Sequence, residues 1–170
     1  MVNMGRVDSF KIVVIFGGLL GIFSVLSYYL SESLGAWWQV TFEFWRFERN
    51  SYINAFGYSD DRQILGNLGT IAGVIFLLGS FLAILSAAKE SKSLGILCFL
   101  LMFAGLGLFL YALSVWEDFE RLIDVLEFLS GEEYNVFYGS HGGLTWGLST
   151  GFYIGAIAAI IVFIGVLNMD

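Results

Sequence analysis

Groups able to exchange protons with a substrate cluster in two stretches of this 170-residue chain: Glu43, Glu48, Asp60 and Asp61 in one, His141 in the other. Carboxylates beside an imidazole could supply acid and base for a lipid-modifying reaction, yet no spacing motif ties the five together. Metal binding has a comparable candidate in Glu117, Asp118, Glu120, Asp124 and Glu127. Carboxylates strung along a single helix rarely enclose a calcium ion, so these acids read as a solvated face. The single Cys98 rules out an intrachain disulfide and a dithiol relay. The single His141, within Ser140-His141-Gly142-Gly143, rules out a bis-histidine haem and a diiron site built on paired Glu-x-x-His motifs in one chain. It reads as a loop histidine without partners. Phosphate-binding glycine loops and nucleophile motifs are absent from the sequence. The expectation is a nonenzymatic protein with no metal and no cofactor.

The elements that must position these groups are dominated by apolar runs. Hydrophobic residues make up 58% of the chain and charged ones 14%, against about 25% charged in a soluble domain. Four stretches lack any Asp, Glu, Lys, Arg or His and reach the roughly 20 residues that cross a hydrocarbon core. They are Ile12 to Leu30, Ile64 to Ala88, Leu94 to Trp116 and Leu144 to Leu167. The first is longer than the core of a signal peptide and reads as an anchor. No ionisable residue lies in any span and the chain has no proline, which argues against a proton relay and against an ion-coupled path through broken helices.

Four crossings put both termini on one side. Arg6, Lys11, Lys89 and Lys92 are packed into a short tail and a very short loop, whereas Arg46, Arg49, Arg62 and Arg121 are diluted through two long loops. That density predicts cytoplasmic termini in a cell membrane. The cytoplasmic side then carries four bases and three acids, a balance of +1. The outside carries four bases and twelve acids, a balance of −8, and the two reproduce the net −7 of the chain. Such an exterior repels nucleic acid and suits cations or basic partners; it equally serves as a solubilising surface.

The expected domain is one integral membrane unit over 1–170 with outer loops 31–63 and 117–143. In the first loop Trp38, Val40, Phe42 and Phe44 alternate with Gln39, Thr41 and Glu43, a strand period. Ser51 to Tyr58 is a candidate return strand. Tyr134 to Tyr138 is a candidate third strand from the second loop, which would stabilise an otherwise marginal hairpin. Trp37, Trp38, Phe42, Phe44, Trp45, Phe47 and Tyr138 are the expected outer interaction surface; the alternative is an interfacial aromatic belt. After Trp116, Phe119, Leu122, Ile123, Leu126 and Leu129 keep helical spacing. An unbroken helix from Leu94 to Leu129 would be roughly 54 Å long and would form a stalk. In the fourth span Gly139, Gly143, Gly147, Gly151, Gly155 and Ala159 recur every fourth residue, a small-residue ridge of the kind that packs helices in lipid. Gly17 and Gly21, and Gly69 and Gly73, offer matching surfaces, either within one bundle or between copies.

Four spans, a larger first outer loop with strand-like aromatic segments containing Trp37, Trp38 and Trp45, an outward-extended third helix and a short strand in the second loop resemble the claudin and peripheral-myelin-protein type of tetraspan. The resemblance covers almost the whole chain as topology, without the Gly-Leu-Trp and loop cysteine pair of claudins. It implies an all-α transmembrane four-helix bundle with a small extracellular antiparallel sheet or hairpin, and an adhesion, barrier or membrane-organising role. The function expected is that of a scaffold, adhesion protein or accessory subunit whose partners are the lipid bilayer and other membrane proteins or copies of itself. An oligomeric cation-selective channel and a lipid-modifying enzyme are the alternatives.

Overall fold

The computed structural model describes residues 9–44 and 47–169. Four helices are long and apolar enough to cross a membrane: α1 (Ser9–Leu26), continued by a 3-10 turn to Tyr29, α3 (Gly66–Ala88), α4 (Lys92–Ser114) and α6 (Thr150–Leu167). They form a ring in which α1 lies against α3 and α6, and α4 against the same two. Small residues line much of the contact between the helices. Gly17, Gly18, Gly21 and Ser24 of α1 are buried, as are Ala72, Gly73, Gly79, Ser80 and Ala83 of α3. Large side chains such as Phe16, Leu19, Leu78, Leu100, Phe103 and Ile160 point outward. Small interior residues allow the backbones to approach closely, which is how helices gain packing energy where apolar burial offers little.

The short α2 (Glu32–Gly35) leads from α1 into β1 (Trp38–Phe44) and β2 (Phe47–Ile53). A two-residue pair of strands, β3 (Tyr58–Ser59) and β4 (Arg62–Gln63), precedes α3. Beyond α4 come α5 (Glu117–Ser130), β5 (Tyr138–His141) and β6 (Leu144–Leu148). The main sheet is antiparallel with order β2-β1-β6-β5, so each long connection contributes two strands. Trp38 pairs with Ile53 on one side and Leu148 on the other, and Val40 with Ser51 and Trp146. Directly opposed residues share a face, so Trp38, Val40, Trp146 and Leu148 make one apolar face. Gln39, Thr41 and Thr145 lie on the other.

Several boundaries depart from the sequence reading. Leu144–Leu148 is a strand and the last helix begins at Thr150, leaving 18 residues in place of a span from Leu144. Leu144, Trp146 and Leu148 alternate across the sheet, and an apolar run that continues into a helix hides that period. The third helix is not one stalk either. It stops at Ser114 and α5 restarts at Glu117, with Trp116 extended (φ −79, ψ 93) at the break. Trp116 stacks on Phe119 at 5.2 Å and meets Trp38 at 5.6 Å, so its ring joins the core below the sheet. Glu117, Asp118 and Glu120 then occupy the first turn of α5, where the helix dipole favours acids.

The return strand is Phe47–Ile53 and not Ser51 to Tyr58, and the strand expected at Tyr134 to Tyr138 falls at Tyr138–His141. Asn135 explains the second shift: its Oδ1 accepts from Phe137 N (2.9 Å) and Tyr138 N (3.0 Å), holding 135–138 as a turn. Gly142 and Gly143, both at positive φ, close the two-residue hairpin between β5 and β6.

Candidate functional site

Trp37 and Trp38 are consecutive residues of an extended segment, so their rings point to opposite sides. Both are fully buried, which corrects the expectation that they form an outer interaction surface. Trp37 enters the bundle. Its ring lies 5.1 Å from Phe76 of α3, 5.0 Å from Phe109 of α4 and 5.7 Å from Phe152 of α6, and its Nε1–H donates to Ser24 O of α1 at 3.2 Å. One side chain therefore touches all four long helices. Trp38 enters the space between sheet and α5, with Phe119 at 4.8 Å and its Nε1–H donating to Val136 O at 3.0 Å. Trp146 completes this second core, 5.8 Å from Phe119 and donating to Asn135 O at 2.7 Å. The pair rivets the sheet to the bundle.

Of the remaining aromatic residues expected at the surface, Phe42, Phe47 and Tyr138 are exposed. They do not form one patch. Phe42 and Phe47 lie near the tip of the β1–β2 hairpin, whereas Tyr138 starts the opposite edge strand and shares a face with Gly147 and Gln39. Trp45 and the side chain of Phe44 lie outside the described residues.

The small-residue ridge is divided between two roles. Gly147 sits in β6, not on the helix, and a Cβ there would find only ordinary contacts, the nearest Phe137 O at 3.4 Å. A Cβ on Gly151 would lie 2.6 Å from Gly35 O and 2.7 Å from Ala36 O. A Cβ on Gly155 would lie 3.2 Å from both Phe76 and Ser24, and Ala159 is buried. A Cβ on Gly17 would lie 2.8 Å from Val162, one on Gly69 2.9 Å from Gly57 and one on Gly73 2.8 Å from Ala55 O, and one on Gly21 would run into Ser80. The six glycines of this set with such close surroundings find them within the chain.

An uncovered apolar stripe replaces the expected aromatic surface. On α5, Phe119 and Ile123 are buried, while Leu122, Val125, Phe128 and Leu129 are 38, 54, 88 and 70% exposed. The apolar arc of this helix is wider than the part the sheet covers, because Val125 and Phe128 extend it around the cylinder. That width could have been read from the sequence, where Val125 and Phe128 stand outside the single face assigned to this segment. Asp118, Asp124 and the exposed Glu117–Arg121 pair (3.3 Å) border the stripe.

A cavity of about 740 Å³ opens at the same end of the bundle, between the end of α1, α2 and the β3–β4 hairpin. Tyr28, Phe56 and Tyr58 wall it, Glu32, Asp60 and Asp61 rim it, and Asn54 and Thr70 also line it. The hairpin turn is Asp60-Asp61 with φ of 45° and 63°, a mirror-image turn that Asp tolerates better than most residues. Tyr28 is held by donating its hydroxyl to Tyr52 O at 3.1 Å.

The acid and base groups considered for lipid chemistry are not brought together. Glu43 and Glu48 oppose each other across β1 and β2, Asp60 and Asp61 lie beyond β2, and His141 is on the far edge strand. His141 is also not without a partner, since its Nδ1 is 2.8 Å from the Tyr134 hydroxyl, which donates to Glu132 at 3.1 Å. The hydroxyl has one proton to give. If Glu132 receives it, Nδ1 must carry a hydrogen and donate to the tyrosine oxygen.

No protein-family model, curated protein or solved structure matches this chain.

Proposed function

We propose that the chain is a four-span protein of the cell membrane, with cytoplasmic termini and its sheet outside, that acts without chemistry as a scaffold, adhesion protein or accessory subunit. The bundle's outward Leu, Ile and Phe side chains support the membrane reading, because in water they would form an apolar patch far larger than soluble monomers carry. The clustered bases at the terminal end support the orientation. Lys11 there pairs with Glu90 at 2.7 Å, and Lys92 Nζ donates to the carbonyls of Leu167 (3.1 Å) and Met169 (2.8 Å). A claudin-like role fits the same arrangement of four spans under a small sheet.

The observation that carries the reading is the stripe of Leu122, Val125, Phe128 and Leu129, large apolar side chains on a helix outside the four spans. Its acidic borders favour a partner that offers a basic amphipathic segment. An ion path would have to run between copies, since Trp37, Phe76, Phe109 and Phe152 fill the bundle at its sheet end. The test is co-purification from the native membrane. The double variant Val125→Lys, Phe128→Lys is expected to keep the wild-type melting temperature and elution while losing the partner. Retention of a stoichiometric partner by that variant would refute the stripe as the contact surface.

A further inference from the structure

The cavity beside the end of α1 is unused by this reading, and its chemistry is of one kind. Its aromatic walls are Tyr28, Phe56 and Tyr58, its rim is Glu32, Asp60 and Asp61, and among the described residues no Lys, Arg or His lines it. An aromatic wall under an anionic rim suits a positively charged, weakly hydrated group, attracted by ring faces and carboxylates together. A second observation is independent of the acids. Asn54 is only 4% exposed, and its Oδ1 is committed to Phe56 N (2.9 Å) and Tyr58 N (3.1 Å). Its amide nitrogen makes no hydrogen bond among the described residues, so this side chain brings an uncommitted donor to the cavity lining. Such a donor can be matched by an acceptor oxygen on whatever enters.

We propose that this cavity binds an alkylammonium group bearing a neighbouring oxygen, with Glu32, Asp60 and Asp61 balancing the charge, the rings of Tyr28, Phe56 and Tyr58 around the cation, and Asn54 Nδ2 donating to the oxygen. Choline and ethanolamine units have this composition, either free or as the headgroup of a zwitterionic phospholipid. The headgroup source rests on the membrane reading, because Tyr28 lies in the last turn of the first apolar helix and Thr70 near the start of the second. The ammonium chemistry does not rest on it.

The experiment has two arms on the full chain in mild detergent. Choline chloride and ethanolamine are titrated calorimetrically, and retained lipid is counted by native mass spectrometry with phosphatidylcholine, phosphatidylethanolamine or phosphatidylglycerol added. The variant is Glu32→Gln, Asp60→Asn, Asp61→Asn, whose Asn residues still tolerate the positive φ of the turn. Zwitterionic lipid retained in preference to phosphatidylglycerol, and lost by at least about tenfold in a normally melting variant, identifies the headgroup. Saturable choline or ethanolamine binding with the same loss, and no lipid preference, identifies a free amine and separates this site from the membrane reading. Failure of the wild type to bind choline, ethanolamine, phosphatidylcholine or phosphatidylethanolamine, or equal binding by the neutral variant, overturns the proposal.

Discussion

Trp37→Ala is expected to cost the fold about 3–5 kcal/mol, the largest effect of any single truncation in the chain. The indole is the common contact of α1, α3, α4 and α6, so its loss opens a void that no one helix can fill by shifting alone. Burial against lipid-like surroundings yields little by itself, so the cost comes mainly from lost close contacts and the cavity left behind. With a total stability of about 5–15 kcal/mol, the variant should appear as a small monodisperse fraction with a greatly lowered melting temperature. Trp37→Phe should fall between, since it keeps most of the ring but leaves Ser24 O without its donor, a change worth about 1 kcal/mol. A Trp37→Ala protein that melts like wild type would show that the sheet is held by something other than this side chain.

Gly151→Leu ranks second, at about 2–4 kcal/mol. Gly151 N donates to Ala36 O at 2.8 Å and Ser149 N to Trp37 O at 3.0 Å, so the first turn of α6 is stitched to the segment that enters β1. A side chain at 151 must displace backbone carbonyls, which have nowhere to swing. Gly147→Ala is the control from the same every-fourth series and should change stability by less than about 1 kcal/mol, because its surroundings already stand at ordinary contact distance. Size exclusion and thermal melting of the detergent-solubilised variants measure both. A Gly151→Leu protein of normal stability but altered particle mass would move this part of the ridge to a contact between copies.

The four long helices were legible because an uncharged apolar run of that length has few other uses, and β1 because its alternation begins cleanly after Trp37. The break at Val115-Trp116 was not legible: neither residue disfavours a helix strongly, and it is the pull of Trp116 toward Phe119 and Trp38 that ends α4. Leu144–Leu148 was absorbed into the neighbouring span for want of any charge between them. Trp37 and Trp38 illustrate a different limit, since an aromatic residue near the end of a span looks the same in sequence whether it faces headgroups or plugs a core. The cavity draws on residues 28 to 70 from α1, α2, a hairpin and α3, and no local pattern announces a site assembled from four elements.

The pairing of β1 with β6 has a consequence for the order of events during synthesis. Gln39 must wait for Ser149, 110 residues later, before its side chain finds the hydroxyl it accepts from. At a ribosomal rate of about 5–20 residues per second, β1 waits roughly 5–20 s for the strand that pairs with its second edge. During that interval the nascent chain offers an unpaired strand edge to its surroundings. Arrival of the last helix closes the sheet and the bundle in a single step.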